Sequence, residues 1–281
     1  MYIYKMAELE EFIKSVSDKS VNTQKAYKTQ YNKLHKLLGK DVNEASEKKL
    51  MEIILEQPNN NGKQALINIS ILVRRIYGLK TEKLENLREK LKGDLKEDVK
   101  EKNAVLKDTL PSYEDLVEFT DHLWSKMEWR DYIINYLLLH YQVRNQDLVF
   151  DIVNKKNQTK DKDKNFMWLS PKKVVYTRNV YKTAKSYGKK TDIITDPKFI
   201  IAVKRVYACS SRDEECGVFI PTLSQVGYYI KKATYKQLGE GNYVKIIINH
   251  FRKDFTMLKE ISENRGTSLT TLAENYDIEN I

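Results

Sequence analysis

Cations and tyrosines are the residues through which this chain could act on another molecule. Arg144 stands three residues before Asp147 in YQVRNQDL, and Arg252 lies in NHFRKDFTML. Lys182, Lys185, Lys189 and Lys190 crowd the segment YKTAKSYGKK, and Tyr276 is the one tyrosine C-terminal to Arg252. Guanidinium and ammonium groups grip phosphate oxygens, and a phenol can serve as a nucleophile. Each residue also has a plainer role. Arg144 and Asp147 suit a structural pair one turn apart. A lysine-rich turn suits a solvated hairpin tip, Arg252 a surface charge on a basic helix, and Tyr276 a core aromatic of a terminal helix.

The charge balance favours the first kind of role. Among 281 residues, 49 Lys+Arg face 39 Asp+Glu, a formal charge of +10. Such an excess attracts polyanions. Nucleic acid is the commonest intracellular partner of a basic chain, and an anionic membrane surface comes next. A Lys- and Asn-rich, Gly-poor protein from an AT-rich genome, such as that of a virus or mobile element, would carry the same excess with no partner. The 18 tyrosines, interleaved with lysines, suit backbone contact and base stacking as well as core packing.

Other chemistries are disfavoured. Cys209 and Cys216 have no second Cys or His pair nearby, so neither zinc nor another metal or cofactor is expected. Their spacing permits a small loop disulfide, and reduced thiols of a cytosolic or nuclear protein are the expected state. The opening MYIYKMAELEEFIKSV lacks a basic segment followed by an apolar one, and no window reaches the roughly 18 apolar residues of a membrane span. The expectation is a soluble intracellular protein with no membrane partner, in the cytoplasm or nucleus of its host cell.

The elements that must position these residues follow from periodicity and caps. Residues 7–16 place Leu9, Phe12, Ile13 and Val16 at helical spacing. Ser20 or Asn22 caps a second helix that Gly39 ends. Ser46 starts a third, which stops near Pro58, and residues 62–77 form a fourth. Together they predict a compact bundle. Residues 80–109 mix charges of both signs and predict an exposed helix and linker. Ser112 then caps SYEDLVEFTDHLWSKM, and WRDYIINYLLLHYQV is apolar enough to be buried. DLVFDIV leads into a strand, and NKKNQTKDKDKN is a solvated loop. NFMWL, KKVVYTRNV and KTDIIT read as strands, with YKTAKSYGKK a hairpin tip between the last two. The remainder, from residue 198 onward, reads as helices. The last of them, SLTTLAENYDI, is also spaced like the opening of a helix-turn-helix unit.

In order, these features resemble the tyrosine recombinase and phage integrase family over most of residues 18–260. SVNTQKAYKTQYNKLHKLL is similar to the first helix of that family's core-binding domain. YQVRNQDLVFDI resembles the buried helix end that carries its first catalytic arginine, which maps to Arg144 with Asp147 three later. YKTAKSYGKK lies where the family keeps a catalytic lysine, and Lys182 is the match. NHFRKDFTML resembles its His-x-x-Arg helix and maps to Arg252, with Asn249 in the histidine's place. His250 stands next door, about 100° away around a helix. The family's later Gly-His pair has no counterpart. Tyr276 comes several residues before the usual place of the nucleophile.

The resemblance implies a fold that is mainly α with a small antiparallel β-sheet. It implies a helical core-binding-like DNA clamp over 1–100, a linker over 101–110 and a tyrosine-recombinase-like catalytic-fold domain over 111–281. It also implies metal-free strand breaking and rejoining. Arg144 and Arg252 would stabilise the pentavalent phosphate, Lys182 would protonate the leaving 5′ oxygen, and Tyr276, or a tyrosine of another protomer, would form the phosphotyrosine link. Lys25, Lys28, Lys185, Lys189, Lys190 and Lys253 would contact the phosphates of double-stranded DNA, on which the protein would act as a homo-oligomer in strand exchange or integration. A member that has lost cleavage would bind or organise DNA with the same cations.

Overall fold

Polar caps and short apolar periods set the helices of this chain. The computed structural model describes residues 7–210 and 219–278. The chain divides into two units, 1–102 and 103–281. Cys216 lies outside the described residues, and Cys209 is exposed near the end of a helix.

The first unit holds α1 (Ala7–Ser15), α2 (Val21–Leu38), α3 (Glu47–Leu55), α4 (Asn60–Ile76) and the greater part of α5 (Glu82–Lys107). Ser20, Ser46 and Asn59 each accept a backbone N–H from three residues on, so each helix starts at a side-chain cap. Ser20 is therefore the cap of α2, and α4 begins two residues earlier than periodicity alone suggests. Phe12, Tyr31, Leu34, Leu50, Ile54, Leu66 and Ile67 are buried together. Inside this core sits the carboxylate of Glu8. It accepts from the Tyr31 hydroxyl at 2.8 Å and from the amides of Val42 and Asn43 at 3.0 and 2.9 Å. A buried charge is tolerated because its oxygens are hydrogen-bonded. Burial, with that carboxylate beside it, pushes the Tyr31 phenol up.

The charged run after residue 80 is helical as far as Lys107, so helix continues through most of the segment expected to be a linker. Leu84, Leu87 and Leu91 are buried along it, while pairs such as Lys92–Glu89 lie on its exposed face. No helix among the described residues is long and apolar enough to cross a membrane.

The second unit is helical around a small sheet. α6 (Tyr113–Ser125) starts at a capping box of Ser112 and Asp115. α7 (Trp129–Tyr141) is buried from Tyr132 to Leu139, as its all-round apolar sequence requires. The sheet has the order β1 (Phe150–Val153), β2 (Asn165–Leu169), β3 (Val174–Arg178), β4 (Lys190–Ile194). A one-turn helix, α8 (Ala184–Tyr187), fills the tip between β3 and β4. α9 (Pro197–Ser210), α10 (Leu223–Ala233), α11 (Glu240–His250), α12 (Phe255–Arg265) and α13 (Leu269–Tyr276) complete it.

The sheet is mixed, not wholly antiparallel. β1 runs parallel to β2, with Phe150 opposite Asn165, while β2–β3 and β3–β4 are antiparallel. The physical reason is the connection: residues 154–164 are long enough to carry the chain back to the starting end of β1. Asn165 fastens that end. Its Nδ2 donates to the carbonyls of Val180, Val149 and Gln146 at 2.9, 3.2 and 3.4 Å, and its Oδ1 accepts from the amides of Asn179 and Val180. The Asn165 side chain is 3% exposed, so its own amide depends on these five backbone groups. Asn165→Ala is expected to lower unfolding free energy by about 2–4 kcal/mol in urea titrations followed by circular dichroism. A loss below about 1 kcal/mol would mean the five contacts are not the fastening.

Candidate functional site

Three segments far apart in sequence meet beside the β3–β4 tip. They are the turn after α7, the tip itself and the end of α12. Arg144 leads into a 3-10 turn, Asn145–Leu148, and its backbone N–H donates to Asp147 Oδ2 at 3.0 Å. Its half-buried guanidinium donates to Thr183 Oγ1 at 3.3 Å, and Thr183 in turn donates to the Gly266 carbonyl at 2.9 Å. Gly266 ends α12 with φ 58°, and a Cβ there would stand 2.6 Å from Thr183 Oγ1. A side chain is thus excluded on both backbone and steric grounds.

Arg265, one residue earlier, is 2% exposed. Its NH1 donates to the Gln142 carbonyl at 3.0 Å, and its NH2 to Glu240 Oε1 at 2.6 Å and to the Tyr276 hydroxyl at 3.3 Å. Its guanidinium also lies 5.2 Å from the centre of the Tyr276 ring, a cation–π contact. Burial, together with the Arg265 charge, lowers the pKa of Arg144.

A second buried arginine, Arg178 at the end of β3, is 1% exposed. It donates to Asp192 Oδ2 at 2.8 Å, to the Asn264 carbonyl at 3.1 Å and to Asp147 Oδ2 at 3.5 Å. Burial opposes its charge, but Tyr176, Asp192 and Asp147 outweigh that and raise its pKa. Asp147 is raised by its own burial, and its Oδ1 has no hydrogen-bond partner among the described residues.

Lys190, first residue of β4, donates to the carbonyls of Glu263 and of Asn264, the latter at 3.1 Å. Its ammonium lies 5.1 Å from the Tyr181 ring and 5.6 Å from that of Tyr187. Cations at a helix C-terminus meet the negative end of its dipole, so Lys190 and Arg178 also anchor α12. Burial, with the Arg178 and Arg144 charges nearby, lowers Lys190 to about 8.

No family model and no curated protein matches the chain. Among solved structures, it is similar to the crystal structure of XerA recombinase. The match has 13% identity and a TM-score of 0.39, over 96% of this chain and 93% of that one.

The residues singled out from sequence fall into separate groups. Tyr276 touches Arg265, and Arg144 is joined through Thr183 to Gly266, the residue after Arg265. Lys182, Lys185 and Lys189 are exposed along the tip, whereas Lys190 turns inward. Arg252 lies elsewhere, its NH2 3.7 Å from Asp277 Oδ2, beside an apolar recess that includes Ile248, Phe255 and Leu258. Lys253 is exposed next to it, and Lys25 and Lys28 are exposed on α2 of the first unit. Asn249 donates to the carbonyls of Lys245 and Tyr276, while His250 points away, stacked on Tyr113 at 4.3 Å and 3.4 Å from Glu114.

Arg265, Arg178, Thr183 and Glu240 were not picked out by sequence reasoning. ENRG offers no motif, and only an arginine directly before a helix-ending glycine hints that Arg265 is held in place. Chemically, the group offers two neighbouring guanidiniums, a phenol at their edge and an ammonium close to neutrality. That set suits a phosphate oxyanion.

Proposed function

We propose that this chain binds double-stranded DNA through its phosphates and breaks and rejoins strands in the manner of a tyrosine recombinase, in strand exchange or integration. The observation that carries the reading is that Arg144 and Tyr276, each singled out from sequence, join the same end of α12, Tyr276 at Arg265 and Arg144 through Thr183 at Gly266. In this reading Arg144 and Arg265 take the non-bridging oxygens of one phosphodiester. The Tyr276 oxygen gives up its phenolic proton to solvent and attacks phosphorus, forming a tyrosine–phosphate bond while the bond to the 5′ oxygen breaks. Lys190, half-buried and close to neutrality, is better suited than exposed Lys182 to give that oxygen its proton. Exposed lysines, including Lys25, Lys28, Lys182, Lys185, Lys189 and Lys253, neutralise neighbouring phosphates. Arg252 would join them once freed from Asp277. A second reading, DNA binding without cleavage, is favoured by Asn249 in place of a histidine and by the pairing of Arg252 with Asp277.

The test is duplex binding against salt, followed by denaturation and a search for a protein–DNA adduct on nicked duplexes. Steeply salt-dependent binding with an adduct absent in Tyr276→Phe is expected. Binding without an adduct would select the second reading, and no binding would end both.

The lysine assignment has its own test. Below about pH 8 the Lys190 ammonium is charged, and above it the charge is lost. Duplex affinity and adduct yield are therefore expected to fall as pH rises through about 8. The fall should vanish in Lys190→Arg and persist in Lys182→Ala. The stability contribution has the opposite sign. Between about 8 and the ordinary 10.5 the unfolded chain holds a proton that the native one has released, so stability gains with pH there. A fall in affinity that persists in Lys190→Arg would remove Lys190 from the site.

A further inference from the structure

Arg265 is 2% exposed, so a phosphate can reach its guanidinium only after something leaves. Part of what covers it is acidic. Glu240, the first residue of α11, places Oε1 2.6 Å from NH2 of Arg265, and its Oε2 accepts the N–H of Asn145 at 3.4 Å. Asn145 directly follows Arg144, whose guanidinium has Thr183 rather than a carboxylate as its hydrogen-bond partner among the described residues. One carboxylate therefore sits in a cradle of a guanidinium and a backbone amide, with a second guanidinium close enough to feel its charge. These are the donors that a phosphate oxyanion takes.

The support of Glu240 allows it to leave. Its side chain is 16% exposed, on the open side of a pair whose other member is enclosed. Gly239 and Gly241 flank it, and a Cβ at either would have no atom within 4 Å. The backbone on either side of Glu240 is therefore uncrowded at these two positions. An exchange of one anion for another also keeps the charge around Arg265 balanced, whereas an empty site would leave a buried cation unpaired.

We propose that Glu240 is a built-in occupant of the phosphate site. It holds Arg265 in the DNA-free protein and is displaced when a phosphate oxyanion takes the same donors. The inference rests on the reading that Arg144 and Arg265 grip phosphate. It adds that affinity for DNA is net of displacing this carboxylate, and that Glu240 keeps the pocket intact when no DNA is present.

The full chain, Glu240→Gln and Glu240→Asp would be compared in two measurements. These are thermal stability against inorganic phosphate concentration, and duplex affinity at one fixed salt concentration. Glu240→Gln is expected to melt lower without phosphate and to be stabilised at about tenfold lower phosphate than wild type. Duplex affinity should rise by a similar factor. Glu240→Asp keeps the charge on a shorter arm and should fall between the two. A Gln variant that melts lower but answers phosphate as wild type does would overturn the proposal. Should the Gln variant not fold, the Asp variant decides in the same way. A phosphate gain with no duplex binding in any variant would sustain the displacement and defeat the DNA reading. Salt-sensitive duplex binding with no gain in either variant would do the reverse.

Discussion

Arg178→Met is expected to destabilise the protein by about 3–5 kcal/mol, the usual loss when one member of a buried ion pair is removed. The side chain is 1% exposed and links Asp192, Asp147 and the Asn264 carbonyl. Methionine fills much of the volume but pairs with none of these oxygens. Asp147, 2% exposed and already with an unpartnered Oδ1, would lose the guanidinium beside it. The carbonyls at the end of α12 would lose one of the two cations that donate to them and keep Lys190. Urea denaturation at pH 7 should show an earlier midpoint with an unchanged slope. Much of the loss should be recovered in the double variant Arg178→Met, Asp192→Asn, because removing both charges costs less than stranding one. A loss under about 1 kcal/mol would show that burial of the guanidinium costs as much as its pairs return.

Arg144→Ala is expected to leave the fold nearly intact and to cut adduct formation on nicked duplexes by about 10²–10³-fold. The two halves of that expectation have different sources. The Arg144 guanidinium is half-buried and, among the described residues, makes one hydrogen bond, to Thr183, so its loss should cost about 1 kcal/mol. In the proposed reaction its charge, in contrast, would stabilise the negative charge developing on phosphorus, where a fixed donor counts for most. Arg265→Ala is the poorer probe because it also strands the Glu240 carboxylate. The comparison is made at saturating DNA, so that weaker binding does not pass for slower chemistry. Equal adduct yields from Arg144→Ala and wild type would take Arg144 out of the site. A yield cut that far in Arg144→Ala and abolished in Tyr276→Phe is the expected pattern.

By itself the sequence determined where most helices begin and which segments are strands. Ser20, Ser46 and Ser112 act on amides three residues away, Gly39 takes φ 69° at the end of α2, and apolar spacing repeats within one or two turns. It also placed Arg144 before a turn, put the lysines on a hairpin tip and made Tyr276 a candidate. Information of this kind is local, so it survives without the fold. What only the tertiary structure decided is which cations share a site and which are buried. Arg265 meets the Gln142 carbonyl across 123 residues, and Arg178 meets that of Asn264 across 86. Lys190 turns inward while Lys182, eight residues earlier, stays in water, although both are lysines of one tip. Arg252, expected within a helix, lies in the turn between α11 and α12 and pairs with Asp277, and the parallel pairing of β1 with β2 depends on the path of the loop between them. For the cations the reason is common. The cost of burying a charge, and the partners that offset it, are set by groups that sequence spacing does not bring together.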